Sequence, residues 1–289
     1  MTPKSGARTD DGPLVIGGLG GSGTRVLADA LRDAGVDMGR SFNAAYDNLV
    51  FTALFKRPRW FATATGADVG RYLDTFTRYS RDRAFTPGDL VRLTRAIFDH
   101  DPTVGRRESA ERVRKAFERR PRAERRTAPA WGWKEPNSHL FLPQLIDHYA
   151  GLRFVYVARH GLDMAYSANV NQLRNFGDQF GFPFPTEGGP DAEAAAQLSY
   201  WIHMTQRALD QGGRLGDRFL YLRFDDVCAD PEGELRRLLE FTGVSPGDDL
   251  GAITSKVRTP SSSGRWRTHA DRPFTDEQVD AVRRFGFDV

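Results

Sequence analysis

The chain contains one cysteine, Cys228, in 289 residues. An internal disulfide is therefore impossible, a cysteine-ligated zinc site is excluded, and a reducing compartment is the expectation. Lysine is almost as scarce: five stand among 41 basic residues, so each one is informative, Lys134 above all. No stretch approaches the roughly 18 apolar residues of a membrane span, and the amino-terminal "MTPKSGARTDDGP" lacks the apolar core of a signal peptide. These absences predict a soluble, cytoplasmic chain with no membrane partner. A large charge of one sign is missing too: the net charge is +3, which suits a local anion site but does not argue for nucleic acid. No Gly/Ser- or Pro-rich linker divides the sequence, so one domain over 1–289 is expected.

What is present begins with rhythm. "PLVIGG" (13–18) is a short apolar run ended by glycines, the pattern of a buried strand. "GLGGSGT" follows as a tight loop, and 24–35 predicts a helix through Val26, Leu27, Ala30 and Leu31, with Gly35 as its stop. From about 40 to 130, aromatics alternate with arginines at helical spacing, which predicts a helical insertion capping the site. Its run at 106–126 is most simply a solvated helix face. Strand–helix alternation then returns. Strands are expected at 131–135, 152–159 and 218–224, and helices at 138–149, 161–173, 191–211 and 230–244, with a loop at 178–190. This order predicts an α/β fold, a parallel sheet with helices on both faces. Ligands of such sheets bind beyond the carboxyl ends of the strands.

A loop of small residues between a strand and a helix start exposes backbone N–H groups to an anion. Gly20, Gly21, Ser22, Gly23 and Thr24 supply this, with Arg25 as a charge in the first helical turn. The alternative is a plain tight turn. Two other fingerprints overlap the loop, and each fails at a residue its chemistry requires. "GLGGSG" with Asp37 matches a dinucleotide-binding pattern, but "GVDMGRSF" is no second strand. The ATP-binding G-x-x-x-x-G-K-[ST] pattern would place Thr24 at its lysine and Arg25 at its Mg²⁺-binding hydroxyl.

Five stretches in order decide between these readings: "GGSGTRVLADAL" (20–31), "GWKEPNSHLFLPQL" (132–145), "FVYVARHGLDMAYS" (154–167), "FLYLRFDDVCADPEGELRRLLEFTGV" (219–244) and "SSSGRWR" (261–267). Together they resemble the P-loop sulfotransferases that use 3'-phosphoadenosine 5'-phosphosulfate (PAPS), over roughly 13–35 and 130–270. The resemblance implies a P-loop NTPase-like fold, PAPS as sulfuryl donor, PAP as product, and no metal. It implies 5'-phosphosulfate binding by residues 20–25 and 3'-phosphate binding by Arg159 and Ser167. Gly264, Arg265 and Trp266 would close over the nucleotide, although Trp266 is equally a core residue. Phe224 is most simply a core residue of its strand.

Sulfuryl transfer needs a cation on the leaving group and a base for the acceptor's proton. Lys134 is the expected cation, paired in the simplest view with Glu135. The loop position where the family carries Lys or Arg is Gly21, so Arg25 and Lys134 are its expected substitutes. Three residues compete as base, in the order Asp29, His139, Glu135. Asp29 comes by resemblance to sulfotransferases of heparan-type sugars, and His139 by its ordinary pKa near neutrality. The acceptor is expected to be a small molecule or carbohydrate offering a hydroxyl or amine. A PAP- or PAPS-binding protein without turnover and a P-loop kinase are the alternatives.

Overall fold

The computed structural model describes residues 12–99, 105–118, 130–244, 250–269 and 272–289. Most of the polar amino-terminal stretch, and residues 119–126 of the arginine-rich run, lie outside the described residues.

Four strands, β1 (Leu14–Gly18), β2 (Gly132–Lys134), β3 (Arg153–Ala158) and β4 (Phe219–Arg223), form one sheet in the order β2-β1-β3-β4. All pairings are parallel, with Ile16 opposite Lys134, Gly18 opposite Val157 and Ala158 opposite Arg223. The residues that follow each strand therefore emerge along one edge. Alternation of side chains divides the core in two, because successive residues of a strand face opposite sides. Leu14, Ile16, Val155, Val157, Leu220 and Leu222 face one side. There they meet α1 (Thr24–Asp33), through Leu27 and Leu31, and helix 231–242, through Leu235 and Leu238. Val15, Trp133, Phe154 and Tyr156 face the other side.

That second face is covered at its β2 end by the segment between α1 and β2. It contains α2 (Leu49–Phe55), α3 (Pro58–Phe61), α4 (Gly66–Ser80), α5 (Pro87–Phe98) and α6 (Arg106–Arg114). Its aromatics are mostly core. Phe51 stacks on Trp133 at 5.3 Å between centroids, and Phe76 meets the same indole edge-on at 4.9 Å. Arg57 is buried with its guanidinium over both Trp60 and Tyr72. The aromatic–arginine alternation is thus chiefly a packing pattern. On α6, Arg112–Glu108 and Arg114–Glu111 pairs lie on the surface, as a solvated face requires.

Downstream come α7 (Leu142–His148), preceded by a 3₁₀ turn over Pro136–Phe141, then α8 (Gly161–Ala165), α9 (Asn171–Phe176) and the long α10 (Gly189–Gly212). After β4 follow α11 (Phe224–Ala229), α12 (Pro231–Thr242), α13 (Leu250–Thr254) and α14 (Asp276–Arg284). The helix expected at 161–173 is broken. Gln197, reaching from α10, donates its amide to the carbonyls of Met164 at 2.7 Å and Ser167 at 2.9 Å. Ser167 Oγ in turn accepts from the Asn169 amide at 3.2 Å. Ser and Asn side chains compete with the helical ladder for backbone groups, so residues 166–170 leave the helix. Phe224 likewise lies past its strand, buried at the start of α11.

Candidate active site

The loop after β1 is shaped by glycines where other residues would not fit. Gly21 and Gly23 have φ of 98° and 83°, a region that L side chains rarely adopt. A Cβ on Gly23 would fall 2.2 Å from the Phe224 ring. Ser22 Oγ is buried without a hydrogen-bond partner among the described residues. Gly23 caps α1 without a side chain, so the positive helix end has no side-chain cap. Thr24 is buried and Arg25 exposed at that first turn.

Arg159 follows β3, the strand next to β1, and is only 5% exposed. One terminal nitrogen donates to Ser262 Oγ at 2.9 Å and lies 3.7 Å from Asp163, while its Nε is buried with no acceptor among the described residues. Asp163 instead accepts the amides of Gly264 at 2.8 Å and Trp266 at 3.3 Å, which fastens the 262–266 segment against α8. Arg265 donates to the Tyr166 carbonyl at 3.1 Å, and burial and then the nearby Arg159 charge lower its pKa. Two guanidinium groups held this close favour an anion beside them. Trp266 is buried and stacks on His160. Ser167 is brought to the loop by its turn and not by a helix: its Oγ lies 3.9 Å from where a Gly21 Cβ would stand. The loop, Ser167, Arg159 and the 264–266 segment thus share one edge of the sheet.

Lys134 ends β2 on the α1 side. Its ammonium donates to Asp47 Oδ1 at 2.5 Å and to the Ala45 carbonyl at 3.0 Å. The expected partner, Glu135, points away because consecutive residues of an extended strand face opposite sides. Asp47 was not singled out in the sequence, although "NAAYDN" before an apolar helix is an Asn-rich turn of the kind that builds such a site. Asn43 Oδ1 accepts the amides of Ala45 and Asp47, both at 2.9 Å, and its NH₂ holds the second Asp47 oxygen at 2.8 Å. The Asn48 amide bonds the Lys134 carbonyl at 2.9 Å, which ties the turn to the strand. Tyr46 in this turn has φ 61°, a strained value for a bulky residue, and the Arg32 guanidinium lies over its ring at 4.7 Å.

The three bases expected from sequence separate in the structure. Asp29 lines a cleft of about 300 Å³ with Arg25, Ala44, Tyr46 and Lys256, and Lys256 lies 3.7 Å from it while bonding Asp33. His139 is fully buried, with Nε2 3.2 Å from Gln172 Oε1, and desolvation lowers its pKa to about 3. It serves the loop indirectly, since the Gln172 amide donates to the Gly18 carbonyl at 3.1 Å. Its surroundings favour the neutral imidazole and give it no exposure to solvent. Glu135 is also buried; desolvation first, and Asp47's charge second, raise its pKa to about 7.

Residues 13–249 match the Sulfotransferase family. The chain belongs to that family. Curated sulfotransferases similar to it include the omega-hydroxy-beta-dihydromenaquinone-9 sulfotransferase Stf3 of Mycobacterium bovis and that of Mycobacterium tuberculosis. Each is 28% identical over 113 residues, 38% of this chain and 28% of the relative. The match thus spans little more than a quarter of those relatives' length. Among solved structures, the sulfotransferase domain from the curacin biosynthetic pathway aligns with a TM-score of 0.53 at 14% identity, over 96% of this chain and 99% of that one. At that identity the likeness speaks for the fold alone. Among the described residues of this sulfotransferase-family chain, no helix is long and apolar enough to cross a membrane.

Proposed function

We propose that this chain moves the sulfuryl group of PAPS to a hydroxyl or amine of a small-molecule or carbohydrate acceptor, releasing PAP. The observation that carries the reading is that the loop at 20–25 after β1 and Arg159 after the adjacent β3 leave the same edge of the sheet, with Ser167 beside the loop. A nucleotide with phosphates at both ends of one ribose suits such a pair. Ser22 Oγ and Arg159 Nε, buried and without partners among the described residues, are polar atoms of the sort that ligand oxygens satisfy.

In this reading the loop amides and Arg25 hold the 5'-phosphosulfate. Arg159, Ser167, Gly264 and Arg265 hold the 3'-phosphate. Lys134 steadies charge that develops on the leaving phosphate oxygen. Asp47 takes the acceptor's proton, displacing Asp29, His139 and Glu135 from that role. It is the carboxylate in contact with Lys134, and it is part-exposed where His139 and Glu135 are enclosed. Asp29 instead belongs to the cleft beside α1, and the 40–130 segment contributes the turn that carries Asp47. The test is transfer of labelled sulfate from PAPS over a panel of hydroxylated acceptors. Gly21 in place of a loop cation favours one other reading, a PAP-binding protein without turnover; tight PAP binding with no transfer over the panel would select it.

A further inference from the structure

Behind Lys134 lies a second carboxyl that the proposed chemistry does not use. Glu135 is 2% exposed and sits at the carboxyl end of β2, in the extended conformation, with its side chain across the strand from Lys134. Oε1 accepts the Asn137 amide at 2.8 Å. Oε2 and Asn137 Oδ1 are both buried, and neither has a hydrogen-bond donor among the described residues. A buried carboxylate in that state is strongly disfavoured, whereas a protonated one carries a donor of its own. The charged groups that bear on it are Asp47 from the 43–48 turn, Lys56 at the end of α2 and Lys134 from β2. Asp47 contacts the Lys134 ammonium directly at 2.5 Å, whereas Glu135, on the other side of the strand, acts on the pair only through space.

We propose that Glu135 is a positioning residue, a carboxyl kept protonated so that Lys134 has Asp47 as its single carboxylate partner. When Glu135 ionises, its negative charge repels Asp47 and draws on the same ammonium, loosening the pair that orients both groups. The functional half of this inference rests on the assignment of Lys134 and Asp47 above; the protonation half does not. Direction of charge fits the geometry, since burial and the Asp47 carboxylate both oppose ionisation of Glu135.

Two experiments on the full chain test it. The first is urea unfolding across pH for wild type, Glu135→Gln and Asp47→Asn. A carboxyl whose folded pKa lies above its unfolded value stabilises fully below the unfolded pKa, and that contribution is lost as pH rises through the folded one. Wild type should therefore lose midpoint relative to Glu135→Gln between about pH 4.5 and about pH 7, with Glu135 raised to about 7. Asp47→Asn should move that loss to lower pH by removing the repelling charge. Parallel wild-type and Glu135→Gln curves would overturn the protonated carboxyl, and an unmoved Asp47→Asn curve would overturn its coupling to the pair.

The second experiment is the pH profile of kcat/KM for PAPS. Wild type should fall by about tenfold from pH 6.5 to pH 8.5, and Glu135→Gln by less than about twofold. An alkaline loss undiminished in Glu135→Gln refutes the positioning role. A chain with no transfer activity at any pH would refute the functional assignment, while the unfolding curves would still decide the state of Glu135.

Discussion

Removing the Arg159 side chain should weaken PAP binding selectively, and the structure bounds by how much. The guanidinium is buried and already held by Ser262, with Nε left over, so little ordering remains to be done when a phosphate arrives. A hydrogen bond to a charged group contributes about 1.5–3 kcal/mol, which corresponds to roughly 10- to 150-fold in Kd. Loss of the Arg159–Asp163 pair should not collapse the site. The two are 3.7 Å apart, and Asp163 keeps its two stronger bonds, from the Gly264 and Trp266 amides. Calorimetry of wild type and Arg159→Ala with PAP and with 5'-AMP forms a double-mutant cycle. AMP lacks the 3'-phosphate, so its affinity should change by less than about threefold while PAP loses the full factor. Arg159→Lys should recover only part of the loss, because an ammonium keeps the charge without the planar fork. Equal losses for PAP and AMP would mean a general disturbance of the site. Unchanged PAP affinity would end the 3'-phosphate assignment.

Three further outcomes are expected. Lys134→Ala and Asp47→Asn should each lower kcat for sulfate transfer by about 100-fold or more, with PAP affinity changed far less; wild-type turnover in either would remove that residue from the chemistry. Gly23→Ala should destabilise the fold by about 1–3 kcal/mol in urea unfolding, since its Cβ meets the Phe224 ring and its φ is positive; a neutral result would contradict the described loop. Gln197→Leu frees the carbonyls of Met164 and Ser167, so PAP affinity should fall by about 1–2 kcal/mol, and an unaltered Kd would show that the turn holds itself.

The parts of this molecule that were legible in the sequence are those whose determinants lie close together along the chain. "PLVIGG" followed by glycines and a helical stripe is a strand, a loop and α1, and "LRFVYVAR" places Arg159 at a strand end without reference to anything distant. The register of β1 against β3 then puts the loop and Arg159 on neighbouring strand ends. What stayed hidden depends on contacts between remote residues. Ser167 leaves its helix because Gln197, 30 positions later, takes the carbonyl it would otherwise use. Lys134 finds its carboxylate 87 residues upstream, in a turn whose Asn and Asp residues carry no helical or strand period. His139 looks like a base by residue type and becomes a buried support for the loop once Gln172 and Tyr156 close around it. Local pattern therefore placed the loop and Arg159 at strand ends, the two points proposed to hold the nucleotide. The Lys134–Asp47 pair, on which the proposed chemistry rests, is set by how the 43–48 turn folds back onto β2, and a carboxylate in such a turn carries no sequence period to mark it.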